Sequence, residues 1–119
     1  MTTAQTNHYS DLSAEYLRKA RTHLAEGDLT QASEKGWGAA ATALKAVAEE
    51  REMDHHRHRD LWRIVRTLVR ETGDADIRGA FSRAESLHAN FYEAWMEHED
   101  VEDNLAHVER LVEKLAALA

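Results

Sequence analysis

Arg83 and His88 stand in the segment Arg83-Ala84-Glu85-Ser86-Leu87-His88, with four residues between them. An imidazole can handle the 2′-hydroxyl proton of RNA while a guanidinium neutralises the charge developing on phosphorus. The pair therefore has the chemistry of metal-free RNA cleavage. On a continuous helix, at about 100° per residue, the two side chains point roughly 140° apart. His88 falls inside an apolar stripe between Ala84 and Phe91, and Arg83 at its edge. A hydrogen-bonded, inert core histidine explains the same pattern.

Arg59, Arg63, Arg66 and Arg70 recur at intervals of four, three and four. That spacing puts them on one helical face, roughly opposite Leu61, Ile64 and Leu68. Arginine's planar fork matches phosphate, so the ridge suits an RNA backbone or an acidic partner. As a merely solvated face it would pair with the acidic run Glu97, Glu99, Asp100, Glu102 and Asp103.

His55, His56 and His58, around Arg57, are imidazoles of the kind that bind zinc, nickel or copper. They are crowded and have no clear fourth ligand, and a polar helix start is the simpler account. Glu52-Met53-Asp54-His55 and Glu85-Ser86-Leu87-His88 both match the Glu-x-x-His pattern of carboxylate-bridged di-iron bundles. Such a site also needs an inward glutamate from each of two further helices, and the apolar stripes contain none. No metal and no cofactor is expected.

The elements that must position these residues read as helices. The chain has 119 residues, no proline, no cysteine and five glycines. Average usage would give about six prolines, and strand-and-turn proteins need more punctuation than this. The absence of cysteine excludes disulfides, thiolate metal sites and cysteine nucleophiles. A formal charge of −7 opposes general field-driven binding to nucleic acid or anionic membrane, leaving local patches as the route to such partners. The N-terminus has neither a basic start nor an apolar run, and no apolar stretch approaches the roughly 20 residues of a membrane span. A cytoplasmic location without membrane contact is the expectation.

A first helix is predicted over about 10–26, then Gly27 and Asp28 as stop and cap, with Gln31 completing a capping box. A second helix covers about 29–51, its face lined by Leu29, Ala32, Gly36, Ala40, Ala43 and Val47. Gly36 costs about 0.8–1 kcal/mol against alanine in a helix interior, which points to a close helix approach. A third helix spans about 58–72 and a fourth, capped by Asp74, extends to about 97. A fifth, capped by Asp100, carries Leu105, Val108, Leu111, Val112, Leu115 and Leu118. The prediction is all-α: an up-and-down antiparallel bundle of four to five helices over 10–119, after a flexible segment 1–9. Tyr92, Trp95 and Met96 extend the fourth helix's stripe beyond one neighbour, which predicts a homodimer.

Gly27-Asp28-Leu29-Thr30-Gln31-Ala32-Ser33-Glu34-Lys35-Gly36-Trp37-Gly38-Ala39-Ala40 resembles the signature of the archaeal PaREP family. His58-Arg59-Asp60-Leu61-Trp62 and Leu87-His88-Ala89-Asn90-Phe91-Tyr92-Glu93-Ala94-Trp95 resemble the same family in the same order. The resemblance runs over roughly residues 10–115. It implies a HEPN-like helical bundle, a superfamily whose members commonly dimerise. Many are metal-independent endoribonucleases or RNA-binding partners in toxin and defence systems, and others partner a minimal nucleotidyltransferase. Their nucleases carry an arginine followed four to six residues later by histidine. Arg83 and His88 match that spacing, with Ala84 where those enzymes usually have a polar residue.

The expectation is an RNA- or nucleotide-binding module, with metal-independent endoribonuclease activity as its sharper form. Arg59, Arg63, Arg66 and Arg70 would hold phosphate, and Arg83 and His88 would stand at the reacting centre. The alternative is a non-catalytic dimeric partner, or an antitoxin-like subunit of a nucleotidyltransferase or toxin system. There Glu34, Lys35, His58, His88 and Asn90 would form a buried polar network.

Overall fold

A computed structural model describes residues 3–118 of the chain. Five helices follow one another: α1 (Ala4–Ala25), α2 (Leu29–Glu50), α3 (His58–Thr72), α4 (Asp76–Glu93) and α5 (His98–Leu118). No strand occurs among the described residues. The all-α bundle read from composition and periodicity is the observed fold.

α1 starts six residues earlier than the apolar periodicity predicts, because Thr3 Oγ1 accepts from the Thr6 backbone N–H at 3.0 Å and caps it. Ala4–Tyr9 thus form the first turns of α1, and residues 1 and 2 lie outside the described residues. Gly27, in the left-handed region at φ +79°, turns the chain, and Asp28 accepts from the Gln31 N–H at 3.3 Å. The Asp28 N–H donates to the His23 carbonyl at 2.9 Å, so Gln31 is not needed for a reciprocal box.

α2 is the central element and packs against all four other helices. Its residues from Ala39 to Leu44 are buried on every side, which small side chains allow. A Cβ on Gly36 would lie 2.5 Å from Leu105 Cδ2 and 2.9 Å from Leu87 Cδ1. Both leucines are fully buried, so α2, α4 and α5 meet at the glycine as its mid-helix placement predicts. Around this axis Phe81, Ile64, Leu68, Ile77 and Leu111 are fully buried. Each such side chain stabilises the fold by about 1.5–3 kcal/mol relative to exposure.

α4 ends at Glu93, earlier than predicted, although no glycine marks the stop. Ala94 takes the left-handed conformation at φ +51°, and its N–H donates to the Asn90 carbonyl at 2.8 Å. The buried Asn90 Oδ1 accepts from the backbone N–H groups of Trp95 and Met96 at 2.9 and 2.8 Å. Those bonds fold Met96 into the core at 5% exposure, which removes it from the surface stripe expected to drive dimerisation. The Asn90 amide donates to Ser33 Oγ at 2.9 Å, tying this turn to α2.

Two predicted caps also act differently. Asp74 sits one residue outside the α4 N-cap, Ala75, and accepts from the Asp76 N–H at 3.0 Å. Asp100 lies inside the first turn of α5 and reaches back to the Glu97 N–H at 2.9 Å.

Candidate functional site

The third helix aims its residues from its first turn. Arg57 is the N-cap, and its backbone N–H donates to Asp60 Oδ2 at 3.1 Å. Asp60 is nearly fully buried, which opposes its ionisation. The Arg57 N–H and guanidinium, and then Arg63, outweigh that effect and hold its carboxyl below the usual aspartate range. With this turn fixed, Leu61, Ile64, Val65 and Leu68 enter the core while Arg59, Arg63, Arg66 and Arg70 face solvent.

Arg63 Nη1 stands 3.7 Å from Asp60 Oδ1. Among the described residues no carboxylate lies within ion-pair distance of Arg59, Arg66 or Arg70. The acidic run does not neutralise this ridge: α3 packs on α2 and α4 but not on α5. Asp100 caps its own helix, and Asp103 accepts from Arg83 Nη1 at 3.0 Å.

Beside the ridge lies a cluster of rings drawn from three helices. Trp37 of α2 stacks with His88 of α4 at 4.9 Å and 27°, and with His58 of α3 at 5.6 Å and 29°. Phe81 supports it from α4, 5.7 Å from Trp37 and edge-on to Trp62 at 4.8 Å. Glu85 accepts two hydrogen bonds from α3, one from His58 Nε2 and one from Trp62 Nε1, the latter at 2.9 Å. His88 Nδ1 is 3.4 Å from Glu34 Oε1, close enough for an ion pair but not aligned as a hydrogen bond. Each imidazole therefore has a glutamate beside it and the same indole against its ring.

This arrangement separates Arg83 from His88, the pair that sequence spacing offers as a reacting centre. Arg83 turns toward α5, donating to Asp103 and, at 3.3 Å, to Asn104 Oδ1, whereas His88 turns toward α2. Within one chain the pair does not share a pocket.

The polar signature residues likewise form no single network. Glu34 faces His88, His58 binds Glu85, and Asn90 closes the end of α4. Lys35 lies over the Tyr16 ring at 5.4 Å, on the α1 side. His55 is buried away from His58, with Nε2 at 2.8 Å from Glu49 Oε1 and its ring edge-on to Tyr9. Among the described residues no three His, Asp or Glu side chains converge as metal ligands.

Trp37, Trp62 and Phe81 are the members of the cluster that no sequence motif assigns to a site, and Glu85 enters the sequence reading only through the Glu-x-x-His pattern. His58 and Trp62, four apart on one helix, present two N–H donors to the same side, and that spacing was the available signal.

A family model described as the archaeal PaREP1/PaREP8 family matches residues 8–112. A crystal structure of a protein from Sulfolobus solfataricus is similar in fold, with a TM-score of 0.80 and 23% identity, covering 90% of this chain and 95% of that one. No curated protein matches the sequence.

Proposed function

The chain belongs to the archaeal PaREP1/PaREP8 family, and from that premise we propose that it is an RNA-binding module of the HEPN-like kind. One observation carries the reading: a row of solvent-facing arginines with few carboxylates near it, alongside stacked rings. Arg59 to Arg70 extends over about 16 Å at a rise of 1.5 Å per residue, long enough to follow several nucleotides of a strand. The guanidinium groups hold phosphates, and the ring cluster beside them fixes the direction of the ridge. The net charge of −7 confines binding to this face.

The test is fluorescence anisotropy of a labelled single-stranded RNA over a salt series. Binding is expected to weaken with salt, and the double variant Arg66→Gln/Arg70→Gln to reduce the log–log salt slope by about 1–1.5. Arg18→Gln, which removes an arginine already paired with Glu15 on α1, should leave it unchanged. Salt-independent binding, or a double variant identical to wild type, would refute the reading.

Metal-free cleavage through Arg83 and His88 is the narrower form. Because they face opposite sides of α4, it requires Arg83 of one copy to approach His88 of another. RNA cleavage in EDTA, lost in both Arg83→Ala and His88→Ala, is the result it predicts.

A second reading, a non-catalytic dimer or partner subunit, is favoured by Tyr92 and Trp95, 73% and 60% exposed beside the end of α4. Such large apolar groups standing together mark a contact surface. Light scattering should give the mass of two chains, reverting to one in Tyr92→Ser/Trp95→Ser.

A further inference from the structure

On the far side of α4 from the ring cluster, α4 and α5 enclose a concavity of about 350 Å³. Its size is at the low end of small-molecule pockets. Arg83, Arg110, Lys114 and His107 line it, with Asp76 the one carboxylate among the lining residues. Arg83 and Lys114 are anchored at the rim by Asp103 and Asp74, which aims their heads without filling the space. The Lys114 hydrogen bond, Nζ to Asp74 Oδ2 at 2.7 Å, holds both groups in their charged forms.

Arg110 is different. It has no carboxylate within ion-pair distance among the described residues, and its Nη2 donates to His107 Nδ1 at 3.0 Å. That bond leaves His107 carrying its proton on Nε2, a further donor.

A second observation is Gly79, which also lines the space. A Cβ built there meets nothing within 4 Å, in contrast to Gly36, which packing requires. A helical glycine that packing does not explain costs about 0.8–1 kcal/mol. Its effect is to keep the wall of the concavity flat, where a ligand can approach the backbone. Ala80 and Leu111 supply apolar surface beside it.

We infer that this concavity is a binding site for a small phosphomonoester, separate from the arginine ridge of α3. The phosphate sits between Arg110 and Lys114 with Arg83 at the mouth, and a compact organic group lies over Gly79 against Leu111. Arg110, the lining cation without a carboxylate partner among the described residues, supplies the charge that a phosphate needs. Lys114 and Arg83 add N–H donors beside their own carboxylates, and the partly apolar wall favours an ester over the bare ion.

The test is a ¹H–¹⁵N NMR titration of the whole protein with phenyl phosphate, inorganic phosphate and, at matched ionic strength, sodium chloride. Saturable shifts of the Gly79 and Leu111 amides are expected with both phosphates, at lower concentration for phenyl phosphate, and none with chloride. Arg110→Gln, on the exposed face of α5, should weaken binding roughly tenfold. Gly79→Met, which fills the space, should abolish it while leaving the protein at least as stable as wild type. Arg66→Gln, on the ridge, should leave it unchanged. Absence of saturable shifts in wild type, inorganic phosphate binding as tightly as phenyl phosphate, or full binding in either Arg110→Gln or Gly79→Met would overturn the inference.

Discussion

The two sides of α4 are built on opposite plans. Toward α2 and α3, Phe81, Glu85 and His88 are spent on neighbours from those helices: rings stack, and Glu85 accepts hydrogen bonds from both His58 and Trp62. Toward α5, Arg83 and Gly79 border open space whose cations are held at the rim. At about 100° per residue the two sets lie roughly half a turn apart. The contrast teaches that an arginine and a histidine close in sequence can belong to different surfaces. It also shows that a helix can brace the fold with one face while the other borders open space.

The comparison is broken most severely by removing the brace. Phe81→Ala deletes the fully buried ring that supports both Trp37 and Trp62, and should lower stability by about 3–5 kcal/mol in chemical denaturation. A loss below about 1 kcal/mol would mean the ring side is not the brace.

The opposite face should respond with the opposite sign. Gly79→Ala adds a methyl into open space and restores helix propensity, so it should raise stability by about 0.5–1 kcal/mol. The same change at Gly36 drives a Cβ against two buried leucines and should destabilise, by about 1–3 kcal/mol.

The smallest effect concerns α3's anchor. Asp60 has a folded pKa below its ordinary value, so its contribution is present above about pH 4, the ordinary aspartate range. It is lost as pH falls through the lowered folded value. Asp60→Asn should therefore flatten the fall of Tm below about pH 4, and an unchanged profile would contradict the assignment.

Much of this was legible in the sequence, for reasons that differ by residue. The arginine ridge and the core stripe of α3 follow from spacing alone, because both are properties of a single helix. Gly36 was legible because a mid-helix glycine needs a cause. Asp28 was legible as a cap, but the helix ends at Thr3 and Ala94 were not. Thr3 precedes a stretch with little apolar period, and Ala94 turns left-handed without glycine because Asn90 satisfies the N–H groups beyond it.

The ring cluster was the least legible. Trp37, Trp62 and Glu85 come from three helices, and only tertiary packing brings one indole against two imidazoles. The separation of Arg83 from His88 was half visible in the helical angle, but the partners that hold them apart, Asp103 and Trp37, were not.

The central claim is that RNA binds on the α3 ridge and not on the Arg83 side of α4. The most direct test is one anisotropy titration series of single-stranded RNA at fixed low salt, comparing wild type, Arg66→Gln/Arg70→Gln and Arg83→Gln. The account predicts a loss of affinity of roughly tenfold or more in the ridge variant and little change in Arg83→Gln. Loss in Arg83→Gln with the ridge variant unaffected would contradict it and move the RNA to the other face of the helix.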